Sequence, residues 1–319
     1  MTMRELAALA NVSLSTVSKA FRDAPDVSKE TKNHIYKIAK ANGCYGKFYK
    51  GKYSKQIIAV ICPELHSDYY AIYLDCLQKI IEEDNGIVLI STDNFSPSAQ
   101  SELIEYYSYL NVDGMIVFEM SNPLKKGYDI PIVSFGSKMN CRTDAVLFEN
   151  ETALTEAIAL LRELGHQNIA FIGETLTRSK EEKFRKVMNL PEHAENIIVS
   201  DKRFEEAGIE GAEKLLHIPT KYTAAICAYD NIAFGVIKQL QKHGYRVPQD
   251  FSVIGMDNIR STAYAETTLS TIDNTPKEIC AIAWELLKKK MENKYYFSNQ
   301  KIIVSARLIV RESIGPVPK

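Results

Sequence analysis

Several marks of an enzyme or of an exported protein are missing from these 319 residues. No G-x-G-x-x-G follows the first long apolar run and no Walker sequence occurs, so nothing here is built to hold a nucleotide phosphate at a helix N-terminus. A G-x-S-x-G elbow for a nucleophilic serine is also absent. The six histidines are dispersed, and His166 and His243 fall in turns at helix ends, where a dipole interaction accounts for them. Cys44, Cys62, Cys76, Cys141, Cys227 and Cys280 include no C-x-x-C pair; several sit in apolar, strand-like surroundings, which points to reduced structural thiols and no metal site. No N-terminal apolar segment resembles a signal peptide, and no run approaches the ~20 residues that a membrane span needs. The expectation is a cytoplasmic protein with no membrane attachment and no cofactor.

What is present is uneven in charge. Residues 1–55 hold 11 Lys and Arg against 4 Asp and Glu, while the remainder holds 28 against 36, so a basic segment of net +7 precedes an acidic body of net −8. Such asymmetry in a near-neutral chain points to a polyanion partner for the basic part. With 45% hydrophobic and 25% charged residues the composition is ordinary for a globular protein. The length suits a small headpiece plus a large core that is itself divided.

The first twenty residues carry two helix signals separated by a turn too short for anything but a helix-turn-helix. Thr2 and Glu5 form a T-x-x-E capping box, and Met3, Leu6, Ala7 and Ala10 then recur as one apolar stripe. Asn11 stands at the sharp turn, being among the few non-glycine residues that tolerate a left-handed backbone. Ser13 caps the second helix, whose Val17, Ala20 and Phe21 face the first. Ser15, Ser18, Lys19 and Arg22 remain on the opposite face, with Leu14 and Ser15 at its exposed start, a surface that suits a major groove. Taken alone, this helix reads equally as half of an ordinary hairpin with a solvated basic face; the charge asymmetry favours DNA. Ser28 caps a third helix with Thr31, Ile35, Ile38 and Ala39 buried and Gly43 at its end, leaving Lys29, Lys32, Tyr36, Lys37 and Lys40 outside for phosphate or water.

From Gln56 onward apolar runs alternate with amphipathic segments. Strands are expected at Ile57–Cys62, Ile87–Ser91, Met115–Phe118, Ile132–Phe135 and Ala145–Phe148, and a second series at Asn168–Gly173, Ile197–Val199, Ala224–Ala228 and Ser252–Gly255. Helices intervene at Asp68–Asn85, Ser96–Leu110, from Asn150 to Gly165, at about Arg203–Leu216 and at Asn231–His243. Strands that are apolar throughout and alternate with helices mean parallel sheets covered on both faces, and two series mean two similar lobes.

The stretch MRELAALANVSLSTVSKAFRDAPDVSKETKNHIYKIAKANG resembles the headpiece of the lactose-repressor (LacI/GalR) family of bacterial transcription regulators. The matching pieces are Ala7, Val12 and Ser13 around the turn, Thr16-Val17-Ser18 in the second helix, and Val27-Ser28 with Glu30-Thr31 before the third. Further matches are Val112-Asp113-Gly114, Leu164-Gly165-His166, Ala228 to Gly235, Gly255-Met256-Asp257-Asn258 and Leu269 to Ile272, so the resemblance covers nearly the full length. It implies a small all-α helix-turn-helix headpiece followed by an α/β core of two doubly wound parallel-sheet lobes, like periplasmic sugar-binding proteins, joined by three crossings near Phe148, Asp273 and Ser305. The expected division is a headpiece at 1–45, a basic linker at 46–55 and a core at 56–319, with an N-lobe of about 56–148 and 274–305 and a C-lobe of about 149–273 and 306–319.

The resemblance also implies roles. Leu14 and Ser15 would read bases, with Lys19 the basic residue after the run; Thr2, Thr16, Ser18, Arg22, Lys29 and Lys32 complete the DNA-facing set. In the family the linker carries a Pro-Asn pair and an Ala-rich hinge helix whose Leu wedges into the minor groove. Here the pair is absent, Gly46 and Gly51 interrupt helix formation, and Tyr53 falls near the Leu position. The partners implied are double-stranded DNA with a pseudo-palindromic site, a second copy of the chain docked through the helix at Asp68–Asn85 and its neighbours, and a small effector, a carbohydrate.

In parallel sheets ligands bind beyond the carboxyl ends of the strands. The candidates are therefore His66, Asp68, Tyr69, Asp93, Glu119 and Phe135 in one lobe and Glu174, Lys180, Asp230 and Asp257 in the other. Carboxylates beside aromatic rings fit polyhydroxylated ligands. Asp230 leads, because the family uses this Asp on sugar hydroxyls, and Lys180 stands where the family commonly has an Arg, without that residue's two-pronged fork. For the others a surface carboxylate or helix cap is the ordinary alternative. The function expected is a sequence-specific transcriptional repressor controlled by an effector in the cleft; the rival is an enzyme acting on a cleft-bound small molecule with an appended DNA-binding domain.

Overall fold

The structure, a computed structural model, describes residues 1–49, 55–120, 130–136, 143–292 and 299–318. The headpiece contains α1 (Met3–Leu9), α2 (Leu14–Phe21), α3 (Lys29–Ala41) and α4 (Tyr45–Tyr49). The Thr2 and Glu5 capping box is formed in both directions, at 2.8 and 3.3 Å. Ser13 and Ser28 accept the amides of Thr16 and Thr31 at 3.0 and 3.1 Å, and Asn11 turns the chain at φ 52°. Leu6, Val17, Ala20, Phe21, Ile35 and Ala39 close into one buried cluster.

Expectations at Tyr36 and at Gly46 are corrected. Tyr36 does not lie outside: it is half-buried, its hydroxyl donates to the Ala20 carbonyl at 2.6 Å, and its ring packs on Phe21 at 5.3 Å. Gly46 does not interrupt a helix but sits within α4. Phe48 is buried against Phe21, and Tyr45 stacks on Tyr49 at 4.8 Å, so aromatic packing outweighs the ~1 kcal/mol that a helical glycine costs relative to alanine. Tyr53 lies outside the described residues.

The N-lobe runs β1 (Gln56–Cys62), α5 (Asp68–Glu83), β2 (Gly86–Thr92), α6 (Pro97–Leu110), β3 (Gly114–Phe118), β4 (Ile132–Gly136) and β5 (Asp144–Glu149). The chain then crosses to α7 (Glu151–Glu163), β6 (Ile169–Glu174), α8 (Arg178–Met188), β7 (Ile197–Ser200), α9 (Phe204–His217), β8 (Ala224–Cys227), α10 (Asp230–Lys242), β9 (Ser252–Met256) and β10 (Ser270–Asp273). It returns through α11 (Pro276–Glu292) and β11 (Lys301–Ser305) and crosses once more into β12 (Arg307–Ile309). The two six-stranded sheets have the orders β11-β5-β4-β3-β1-β2 and β12-β10-β9-β8-β6-β7. Pairing is parallel except where β12 runs antiparallel to β10.

Strand alternation fills both faces of the N-lobe sheet. From β1, Ile58, Val60 and Cys62 join the cluster under α5 and α11, while Ala59 and Ile61 join the one under α6. Coverage on both faces fails at the edge strand β2, where Ile87, Leu89 and Ile90 are 39%, 37% and 40% exposed. In the C-lobe α9 and α10 meet almost backbone to backbone: a Cβ on Gly235 would stand 2.1 Å from the Glu205 carbonyl oxygen, and one on Gly208 2.0 Å from that of Ile232.

Candidate functional site

The headpiece presents the start of α2 outward. Leu14 and Ser15 are exposed, Thr16 and Ser18 half-buried, and Lys19, Arg22 and Lys29 exposed. The cap organises the local hydroxyls, since Ser13 Oγ lies 2.7 Å from both Ser15 Oγ and Thr16 Oγ1. Lys19 is ion-paired with Asp26, whose carboxyl it holds below the ordinary range, mainly through their hydrogen bond. Both are exposed, so a phosphate or base can displace the carboxylate at little cost. Lys32 departs from the expectation: its side chain is 14% exposed and turns inward to Asp23 at 3.0 Å. Thr2 is occupied by its cap.

Between the lobes lies a cavity of about 460 Å³ at the carboxyl ends of both sheets. The N-lobe contributes Glu64, Tyr69, Tyr70, Asp93, Phe95, Gln100 and Glu119, and the C-lobe Leu176, Thr177, Arg178, Lys180 and Tyr229. Lys180 is fixed by donating to the Ala228 carbonyl at 2.7 Å and to Asp257 Oδ1 at 3.1 Å, with its ammonium 4.5 Å from the centre of the Tyr229 ring. Asp93 is buried; it accepts the Phe95 amide at 2.9 Å and Gln100 Nε2 at 2.7 Å, and burial still pushes its carboxyl above the ordinary value. Non-glycine residues in left-handed backbone collect around the cleft: Asn94 and Phe95 after β2, Glu119 after β3, Phe204 at the start of α9, and Asp257 and Asn258 after β9. Such conformations persist where the surroundings enforce them, and they concentrate at ligand clamps.

Of the ten residues expected here, Tyr69, Asp93, Glu119 and Lys180 line the cavity. The other six are placed elsewhere. Phe135 is core, packed edge-on against Phe118 at 4.9 Å. His66 is exposed in a neighbouring depression of about 380 Å³, 3.0 Å from Glu64. Asp68 is exposed and accepts from Asn231 of the other lobe at 3.2 Å. Glu174 is buried, taking Arg203 Nε at 3.0 Å and the Phe204 amide at 2.9 Å. Asp257 sits behind Lys180 as its counter-ion. Asp230, the leading candidate, is fully buried and turned into the C-lobe, where its oxygens accept the Ile259 amide at 2.9 Å and the Thr271 hydroxyl at 2.6 Å. Burial first, and Asp257 second, hold its carboxyl well above the ordinary range, as expected of a structural brace.

Glu64, Gln100, Phe95, Tyr70 and Tyr229 were not anticipated. Glu64 and Tyr229 follow the ends of β1 and β8, where the strand-end rule looks, but each stands beside a better-marked neighbour, His66 and Asp230. Among the described residues no group of three or more His, Cys, Asp or Glu could hold a metal ion. No helix among them is long and apolar enough to cross a membrane.

Known proteins share this arrangement. Residues 2–43 match the bacterial regulatory proteins of the lacI family, and residues 158–314 match the periplasmic binding protein-like domain. The HTH-type transcriptional repressor CytR of Escherichia coli (strain K12) is 26% identical over 337 residues, covering 99% of this chain and 97% of that protein. The HTH-type transcriptional repressor PurR of Actinobacillus pleuropneumoniae serotype 3 (strain JL03) is 29% identical over 337 residues, covering 100% and 99%. The structure of a transcriptional regulator CelR–cellobiose complex overlays with a TM-score of 0.68 at 19% identity, covering 98% of this chain and 99% of that one, which bears on the fold alone. A capped helix-turn-helix with an outward α2, joined to two doubly wound lobes around a cleft and matched end to end by such repressors, places this chain in the lacI family of DNA-binding, effector-controlled transcriptional regulators.

Proposed function

We propose that the protein acts in the cytoplasm as a homodimeric repressor whose effector is a carbohydrate or a sugar-bearing molecule bound in the interlobe cavity. The observation that carries this reading is the cavity wall: carboxylates and Gln100 stand among the rings of Tyr69, Tyr70, Phe95 and Tyr229. Hydroxyls match the acceptors, and rings cover the apolar faces of a sugar or a base. The cellobiose held by CelR is in keeping with it. Lys180, Glu119 and Asp93 with Gln100 are the polar contacts, and Tyr69 and Tyr229 the covering rings.

On DNA, Leu14, Ser15 and Lys19 read base edges, Thr16 and Ser18 support them, and Arg22 and Lys29 lie on phosphates. The two-fold axis runs beside β2. Its Ile87 and Leu89 are exposed on the α6 side of the sheet, as are Tyr106, Tyr109 and Leu110 of α6 itself, whereas the outer face of α5 carries Asp75, Gln78, Lys79, Glu82 and Glu83. Within the expected region of α5 and its neighbours, the dimer contact is accordingly placed on this side of β2 and α6.

A melting screen of the full chain against sugars, sugar phosphates, nucleosides and nucleobases tests the effector. A ligand at ~100 times its dissociation constant stabilises by about 2.7 kcal/mol, visible as an upward shift. The shift should be lost in Tyr229→Ala and kept in Asp68→Ala, which lies outside the cavity. A panel-wide absence of shifts, or a shift insensitive to Tyr229→Ala, would contradict the reading.

A further inference from the structure

The two lobes meet at the cleft through charged side chains. Arg203 immediately precedes α9 in the C-lobe, and Glu64 follows β1 in the N-lobe, 139 residues earlier. Arg203 Nη1 and Nη2 donate to the two Glu64 carboxylate oxygens at 2.7 and 2.9 Å, while Nε donates to Glu174 Oε1 at 3.0 Å within its own lobe. Glu174 is anchored in turn, because its other oxygen takes the Phe204 amide. A planar guanidinium with donors on two edges can join two carboxylates in this way; an ammonium cannot reproduce the fork. Glu64 is 6% exposed and Arg203 32%, so the pair is better shielded than an ordinary surface bridge. The guanidinium also lies 4.4 Å from the centre of the Phe204 ring and 5.7 Å from that of Phe95. Those two residues, one from each lobe, both hold left-handed backbone, at φ 53° and 59°. Backbone strain thus occurs on both sides of this one contact. The bridge also stands between compartments, since Glu64 lines both the 460 Å³ cavity and the 380 Å³ depression.

We propose that Arg203 is an interlobe latch: held by Glu174 in the C-lobe, it captures Glu64 of the N-lobe and keeps the effector cleft closed through protein side chains. The inference rests on the reading of that cleft as the effector site and names its regulation. An effector shifts a two-state equilibrium only by its differential affinity for the two states. Here the Glu64 arm biases the starting population, and an effector that favours a more open cleft works against it. Arg203 is a positioning residue; the ligand need not touch it.

Hydrogen exchange measured on the full chain with no added ligand tests the latch. Glu64→Gln removes the charge, keeps the shape and leaves the Arg203–Glu174 arm intact. The amides of segment 63–67, which begin at Glu64, and those in 201–205 should then exchange about 10-fold faster, with β3 and β8 unchanged. Arg203→Lys, which keeps the charge and loses the fork, should loosen the same two segments. No change in the C-lobe segment, or a change confined to 63–67, would overturn the proposal by making Glu64 a brace of its own loop. The effector screen on wild-type protein is independent, so a cleft that binds nothing would sink the functional reading while leaving the exchange result to stand.

Discussion

Asp230 and Asp257 are two buried carboxylates in one lobe, with the single ammonium of Lys180 in contact with Asp257 and not with Asp230. Burial raises both carboxyls, and Asp257 further raises that of Asp230. The sign of the consequence is fixed. A folded value above the free one means that the native state holds a proton the unfolded chain releases, so this contribution to stability is present near pH 4 and is lost as pH rises through the folded value. Asp230→Asn cannot ionise and can still accept the Ile259 amide and meet Thr271. Its urea midpoint relative to wild type should improve from about pH 5 to about pH 8; a constant difference would show that folding does not raise the Asp230 carboxyl above its free value. The strand-end rule finds Asp230 but cannot orient it, because Ile259 and Thr271 lie 29 and 41 residues further along. Glu64 and Arg203 escaped notice for the same reason: their partnership is a product of lobe packing. Thr2, Asn11, Ser13 and Ser28 were legible because a cap or turn needs partners only two to four residues away.

At the level of elements, period and burial agree for the expected strands other than β2 and for α1 to α3. The departures have physical causes. α11 was not marked, although Ile279, Cys280, Ala283, Trp284, Leu286 and Leu287 are buried at helical spacing, because its lysine-rich end blurs the stripe. β2 reads as a covered strand yet is an edge, since composition does not reveal sheet order. α4 forms where Gly46 argued against it, held by Phe48. Two glycines separate these influences. Gly46→Ala has open space around the new methyl and should stabilise the headpiece by about 0.5–1 kcal/mol. Gly235→Ala drives a methyl onto the Glu205 carbonyl between α9 and α10 and should destabilise the core by about 1–3 kcal/mol. Calorimetry distinguishes the two, and a neutral Gly235→Ala would mean that α9 and α10 can part freely.

For the whole molecule, a basic headpiece reads DNA and an acidic two-lobed core decides when. The charge division between residues 1–55 and the rest was visible in composition alone. The cleft was visible as a place, the end of the strands, while its wall of facing aromatics required the two lobes to be brought together. A dimer built on the β2 edge would carry two headpieces, and a two-fold protein imposes a two-fold site. The most direct measurement is a binding-site selection from random duplex DNA with the full chain. The account predicts an enriched pseudo-palindrome with half-site centres about 10 base pairs apart, and Lys19→Ala retaining that symmetry while relaxing base choice within each half. Enrichment of a single asymmetric site, or base choice unchanged in Lys19→Ala, would contradict it.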